Sequence, residues 1–125
     1  MAKIVAAILF LVGLINLYPA VGVLSAKALS GLYGVDVRDA DLLVLLRHRA
    51  VLFGLLGAFI IYSAFKPALQ GWAVAIGLAS MLSFVVIAWS VGDYGTEIRK
   101  VVIADVVASI GLLIASGLRL WFVKP

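Results

Sequence analysis

The sequence predicts an all-α membrane protein, a four-transmembrane-helix bundle, and three observations carry that reading. The chain is 66% hydrophobic and only 13% charged, with a mean hydropathy of +1.25, whereas soluble domains run at roughly 45–50% apolar and 25% charged. Its 125 residues match four crossings of about 20 residues each plus their connections, which leaves room for a single domain, residues 1–125. Most of its charged residues gather at the ends of apolar runs rather than within them.

The first helix is expected over about residues 3–24, with a continuation toward Leu29 left open. Lys3 followed by an apolar run has the outline of a signal peptide. The run continues to Leu24, however, and is interrupted by Asn16, Tyr18 and Pro19, so it reads as a retained membrane helix. Pro19 removes one backbone donor and predicts a kink. Residues 25–38 form the one sizeable connection, where alternating Leu, Lys and Ser suit a short interfacial segment and Gly31 and Gly34 are turn residues.

Asp36, Asp39 and Asp41 crowd the start of the second helix, about 39–65, where acids cap free N–H groups and oppose the positive end of the helix dipole. Lys66 and Pro67 are expected to stop it. A link of residues 66–70 then forces an antiparallel hairpin into the third helix, about 71–91. A turn over 92–95 leads to the fourth, about 97–122, with Arg119, Trp121 and Lys124 as interface anchors. Small residues recur four apart, Gly54 with Ala58, Ala75 with Ala79 and Ser83, and Gly111 with Ala115. In lipid such residues let helices approach closely.

The formal charge of +4 does not indicate nucleic acid, because the ten Lys and Arg are scattered at helix ends without a basic run. Zero cysteines rule out disulfides and thiolate chemistry, and a single histidine rules out a multi-histidine metal site. G-x-S-x-G, H-E-x-x-H and a Gly-rich loop ending in Lys-Ser/Thr are all absent. No catalytic residue, metal site or cofactor is expected.

The polar residues within the spans carry what functional signal there is. Arg47, His48 and Arg49 interrupt the second helix. Successive positions turn by about 100°, so the three side chains sweep over half its circumference and cannot all face lipid. An arginine at the bilayer centre costs about 2.5 to 3.5 kcal/mol on insertion scales. Arg47 lies only about 12 Å along the helix at 1.5 Å per residue, so one arginine can snorkel and at least one other basic group should face protein. Asp105, about two turns into the fourth helix from the same membrane face, is the expected counter-charge, paired with Arg47, His48 or Arg49.

Asn16 and Tyr18 lie in the last third of the first helix, and Trp89, Asp93 and Tyr94 close the third. Polarity therefore collects in one half of the bilayer. The candidate ligand-binding set is Asn16, Tyr18, Arg47, His48, Arg49, Trp89, Asp93, Tyr94 and Asp105. Two readings stay open: a structural cluster whose members satisfy one another and fix helix register, and a pocket open to one membrane face that binds a headgroup, a quinone-like ring or a small ion.

The segment 41–57, DLLVLLRHRAVLFGLLG, with GLIN at 13–16, LYG at 32–34 and Ala104-Asp105, resembles a family of small bacterial four-helix membrane proteins of the DoxX-like group, over the full length. Members sometimes carry the label phosphopantetheine adenylyltransferase. The soluble enzyme of that name has an α/β fold with an H-x-G-H type motif, and this chain has one histidine. The resemblance therefore implies the membrane class and a bacterial inner membrane, and it brings no catalytic residues.

The function expected from these residues is a binding or accessory role: recognition of membrane lipid or a hydrophobic small molecule in the polar half of the bundle, as a homo-oligomer or a subunit of a membrane complex. The alternative is a small ion- or proton-coupled transporter using Asp105 and His48. A third is a membrane enzyme acting on a lipid-soluble substrate, with His48 as base toward Asp105 or Tyr94. Lys3, Lys66, Arg119 and Lys124 mark the face carrying both termini, against Lys27, Arg38, Arg99 and Lys100 opposite. With Arg47 and Arg49 set aside as lying inside a helix, the tally is even, and the termini are expected in the cytoplasm.

Overall fold

A computed structural model describes residues 1–122, and every regular element among them is helical. Five α-helices follow in order: α1 (Ala2–Leu17), α2 (Ala26–Tyr33), α3 (Ala40–Ala64), α4 (Pro67–Val91) and α5 (Thr96–Phe122). Four spans are long and apolar enough to cross a membrane: Ala2–Val23, Ala40–Ala64, Pro67–Val91 and Thr96–Trp121. The chain is a multi-pass membrane protein, and α2 is the one helix too short to cross. Lys124, expected as an anchor, lies outside the described residues.

The first span is not one regular helix to residue 24. It tightens into a 3-10 segment over Tyr18–Val23 that carries Pro19, whose missing N–H cannot continue the α pattern. The connection after it is also more ordered than expected. The Ser25 hydroxyl accepts the Ala28 N–H at 3.1 Å and starts α2. Gly34 ends it with φ 65°, a left-handed conformation suited to glycine, while its N–H donates to the Ser30 carbonyl at 2.8 Å. Asp39 caps α3 by accepting the Asp41 N–H at 3.3 Å, and Asp36 pairs with Arg38 at 3.0 Å.

Helix α4 begins at Pro67, four residues before the expected position, so only Phe65 and Lys66 separate it from α3. Proline at a first helical position has no N–H to satisfy there and a φ already suited to a helix. The same residue that closes α3 therefore opens α4. The turn into α5 passes through Gly92 and Asp93, with φ of 69° and 52°.

The four spanning helices form a ring: α1 lies beside α3 and α5, and α4 lies beside the same two. The core inside contains Leu9, Ile60, Met81 and Leu112, all fully buried. The closest crossing is α1 on α3. A Cβ built on Gly57 would lie 2.6 Å from the Leu17 nitrogen and 2.8 Å from the Gly13 oxygen, so backbone meets backbone there. That Gly13–Gly57 pair is not among the four-residue spacings expected to mark the interfaces. Of those, Gly54 meets Ala20, Gly111 meets Ile8 and Val12, and Ala115 is buried, but Ala58, Ala75, Ala79 and Ser83 are exposed. Ala and Gly are common enough here that spacing along one helix does not say which side faces a neighbour.

A second, smaller apolar cluster of Leu29, Tyr33 and Val37 fastens α2 across the starts of α3 and α5, against Leu43, Leu46, Ile98 and Val101. Trp72 and Trp121 are exposed at the end carrying the N-terminus, and Trp89 is exposed at the other. Those are the levels of the membrane interfaces, where Trp is favoured.

Candidate functional site

Beneath α2, the 3-10 segment and the outer turns of α3 and α5 diverge around a cavity of about 830 Å³. Leu14, Ile15, Val21, Leu32 and Phe53 supply apolar wall, and Asn16, Tyr18, Tyr33, Arg49 and Asp105 supply polar atoms. Glu97 and Lys100 also line it, and they pair with each other at 3.3 Å.

Arg49 is held on three sides. Its Nε donates to the Tyr33 hydroxyl at 3.3 Å, and the guanidinium carbon lies 4.6 Å from the centre of the Phe53 ring, 5.1 Å from Phe84 and 5.6 Å from Tyr33. Aromatic faces attract a cation and leave its outer N–H groups unspent. The residue is half-buried.

Asp105 is 6% exposed. The expected ion pair with a basic residue of α3 does not form: no cation lies within 4.0 Å of its carboxylate among the described residues, and none of their hydrogen bonds reaches its side chain. Arg49 is committed to Tyr33 and the aromatic rings, and α3 and α5 are diagonal in the ring rather than adjacent. One turn further along α5, the Ser109 hydroxyl is buried with no hydrogen-bond partner. Among the described residues, neither of these successive inward polar side chains of α5 has a hydrogen-bond partner.

Asn16 forms part of the cavity wall from the bundle interior. Its amide donates to the Val12 carbonyl at 2.9 Å and lies 3.7 Å from the Met81 sulfur on the diagonal helix. Tyr18 lines the same cavity while remaining 66% exposed. Of the nine residues singled out from the sequence, the cavity brings together Asn16, Tyr18, Arg49 and Asp105.

The other five stand elsewhere. Arg47 donates from Nε to the Val23 carbonyl at 2.9 Å, which ties the end of the 3-10 segment to α3. His48 is exposed, does not line the cavity and makes no side-chain hydrogen bond among the described residues. The base arrangement with Asp105 or Tyr94 is therefore not assembled. Trp89 is 83% exposed on α4. Asp93 is exposed and Tyr94 half-buried in the turn before α5, and neither lines the cavity.

Tyr33, Phe53, Glu97 and Lys100 belong to the cavity and were missed in the sequence reading. Phe53 was findable, because it sits one turn beyond Arg49. Tyr33 was partly findable, because Leu29 and Tyr33 are four apart on a short helix that must bury one face. A smaller recess of about 230 Å³ opens between α3 and α4, and Arg49 and Phe53 line it as well as the main cavity. Among the described residues no group of three or more His, Cys, Asp or Glu could hold a metal.

Comparison with protein-family models, curated proteins and solved structures finds no match. Apart from the paired Glu97 and Lys100, the cavity wall carries one cation held among aromatic rings and one buried carboxyl group in largely apolar surroundings.

Proposed function

We propose that this protein binds an amphiphile, a membrane lipid or a hydrophobic small molecule, in the cavity beneath α2, and that it acts as a binding or accessory protein rather than an enzyme. One observation carries the reading. Arg49 and Asp105, of opposite charge, line the same largely apolar cavity without closing into an ion pair. Charges buried within a bundle are costly when left unanswered, and a ligand with a polar end supplies what the protein withholds. The cavity volume of about 830 Å³ falls in the roughly 300–1,000 Å³ range of small-molecule sites. The transporter reading uses His48 together with Asp105, and the enzyme reading needs His48 within reach of Asp105 or Tyr94 and facing a cavity; His48 is exposed and does not line this cavity, which supports neither.

The membrane is a bacterial inner membrane on this proposal, with both termini in the cytoplasm and the cavity in the outer half of the bilayer. Reporter fusions at the N-terminus and in the turn 92–95 test that orientation, with cytoplasmic activity expected only for the first. Native mass spectrometry of the protein released from mild detergent tests the function. A bound amphiphile is expected on the parent and a large reduction in it on Ala104→Trp, which places bulk in the cavity wall. A parent that flies empty under every mild condition would overturn the reading.

A further inference from the structure

We infer that the ligand of this cavity is a zwitterionic lipid headgroup carrying a primary ammonium beside a phosphate, of the phosphatidylethanolamine type, with phosphate at Arg49 and ammonium at Asp105. This rests on the amphiphile-binding reading above and narrows it to one charge class.

The argument begins with the charges that need a partner. Glu97 and Lys100 pair with each other at 3.3 Å, so they set no net sign at the cavity. Arg49 spends Nε on the Tyr33 hydroxyl and its faces on aromatic rings, which leaves its terminal nitrogens available for an acceptor. Asp105 is 6% exposed and has no hydrogen-bond donor, and no cation within 4.0 Å, among the described residues.

An anionic amphiphile answers Arg49 but brings a like charge toward Asp105, and a cationic one makes the opposite error. Only a headgroup with both signs a few bonds apart gives each side chain its counter-charge. A primary ammonium adds N–H groups that donate to the carboxylate, a charge-assisted bond that a quaternary ammonium cannot form. Phosphate suits the guanidinium, which can offer two parallel N–H groups.

The route of entry separates a lipid from a soluble zwitterion. Leu14, Ile15, Tyr18 and Val21 line the cavity, belong to the first membrane span and are 42%, 37%, 66% and 41% exposed. A rim of that composition opens sideways into lipid, so the headgroup enters with its chains still in the membrane.

The test is lipid titration of the purified protein in an uncharged detergent, read by native mass spectrometry. The probes are phosphatidylethanolamine, phosphatidylcholine, phosphatidylglycerol, a single-chain quaternary ammonium amphiphile and free phosphoethanolamine. The parent is expected to bind phosphatidylethanolamine at least tenfold more tightly than each of the others. Asp105→Asn is expected to shift preference toward phosphatidylglycerol, and Arg49→Gln toward the cationic amphiphile. Opposite shifts of this kind do not arise from a general loss of structure. Arg49→Lys, which keeps the charge, is expected to keep the parent's order of preference. Equal binding of phosphatidylglycerol or the cationic amphiphile by the parent would overturn the headgroup assignment while leaving amphiphile binding intact. Free phosphoethanolamine binding as well as the lipid would overturn the membrane route. Binding of no amphiphile at all would remove both readings.

Discussion

In the packed part of the bundle Leu9, Ile60 and Leu112 fill the ring without exposure, and near mid-span Gly57 lets α3 touch the backbone of α1 at Gly13 and Leu17. Toward α2 the same helices part around about 830 Å³ of space, held by single polar ties such as Arg47 to the Val23 carbonyl and Arg49 to the Tyr33 hydroxyl. In lipid, contact between helices has to come from close packing and hydrogen bonds, because exposing apolar side chains to acyl chains costs little. The packed half therefore supplies the association and the open half is free to hold a ligand. The two halves should respond differently to substitution.

The largest effect is expected at Gly57→Val. The added methyl groups meet backbone that cannot rotate aside, so a loss of about 3 kcal/mol, the upper part of the overpacking range, is expected in reversible unfolding from mixed micelles. A pair of truncations sharpens the contrast. Leu112→Ala empties a fully buried site and should cost about 2 kcal/mol, the low end for Leu to Ala because the unfolded helices remain in lipid. Leu14→Ala, in the cavity wall and 42% exposed, should stay within about 0.5 kcal/mol of the parent. Similar losses at the two leucines would break the distinction between the halves.

Asp105→Asn separates a structural polar cluster from a ligand site. Breaking a buried ion pair typically costs about 3–5 kcal/mol. Asp105 has no such partner among the described residues, so unfolding of the ligand-free protein should show no loss of stability and a gain, because Asn removes an unanswered buried charge. The same variant should retain markedly less co-purifying amphiphile in native mass spectrometry. A large loss of stability would restore the structural reading.

The four spans and the gathering of polarity at one end were legible because hydrophobic length and the placement of charges do not depend on how helices are rotated. Rotation itself was not legible. A membrane helix is apolar on its lipid face as well as its inner one, as Leu45, Leu52 and Leu55 show on α3, so its hydropathy lacks the one-sided stripe that orients a helix in water. The sequence could not say which of Arg47, His48 and Arg49 turns inward. That choice follows from the Gly13–Gly57 contact, which fixes α3 against α1 and joins residues with no sequence spacing in common. Asp105 and Asn16 were easier, because a lone polar group on an otherwise apolar helix face is inward on almost any packing. The pairing expected for Asp105 failed for the same rotational reason.

The natural absence of cysteine permits the most direct test, single-cysteine labelling with a small maleimide at two positions one turn apart on α5. Ala104 lines the cavity, and Ala108 is 3% exposed in the packed core. Ala104→Cys is expected to label readily in detergent and to be protected by added phosphatidylethanolamine, while Ala108→Cys stays unreactive in the folded protein. Equal resistance at both positions, or labelling of Ala104→Cys that no amphiphile slows, would contradict a ligand site in the open half.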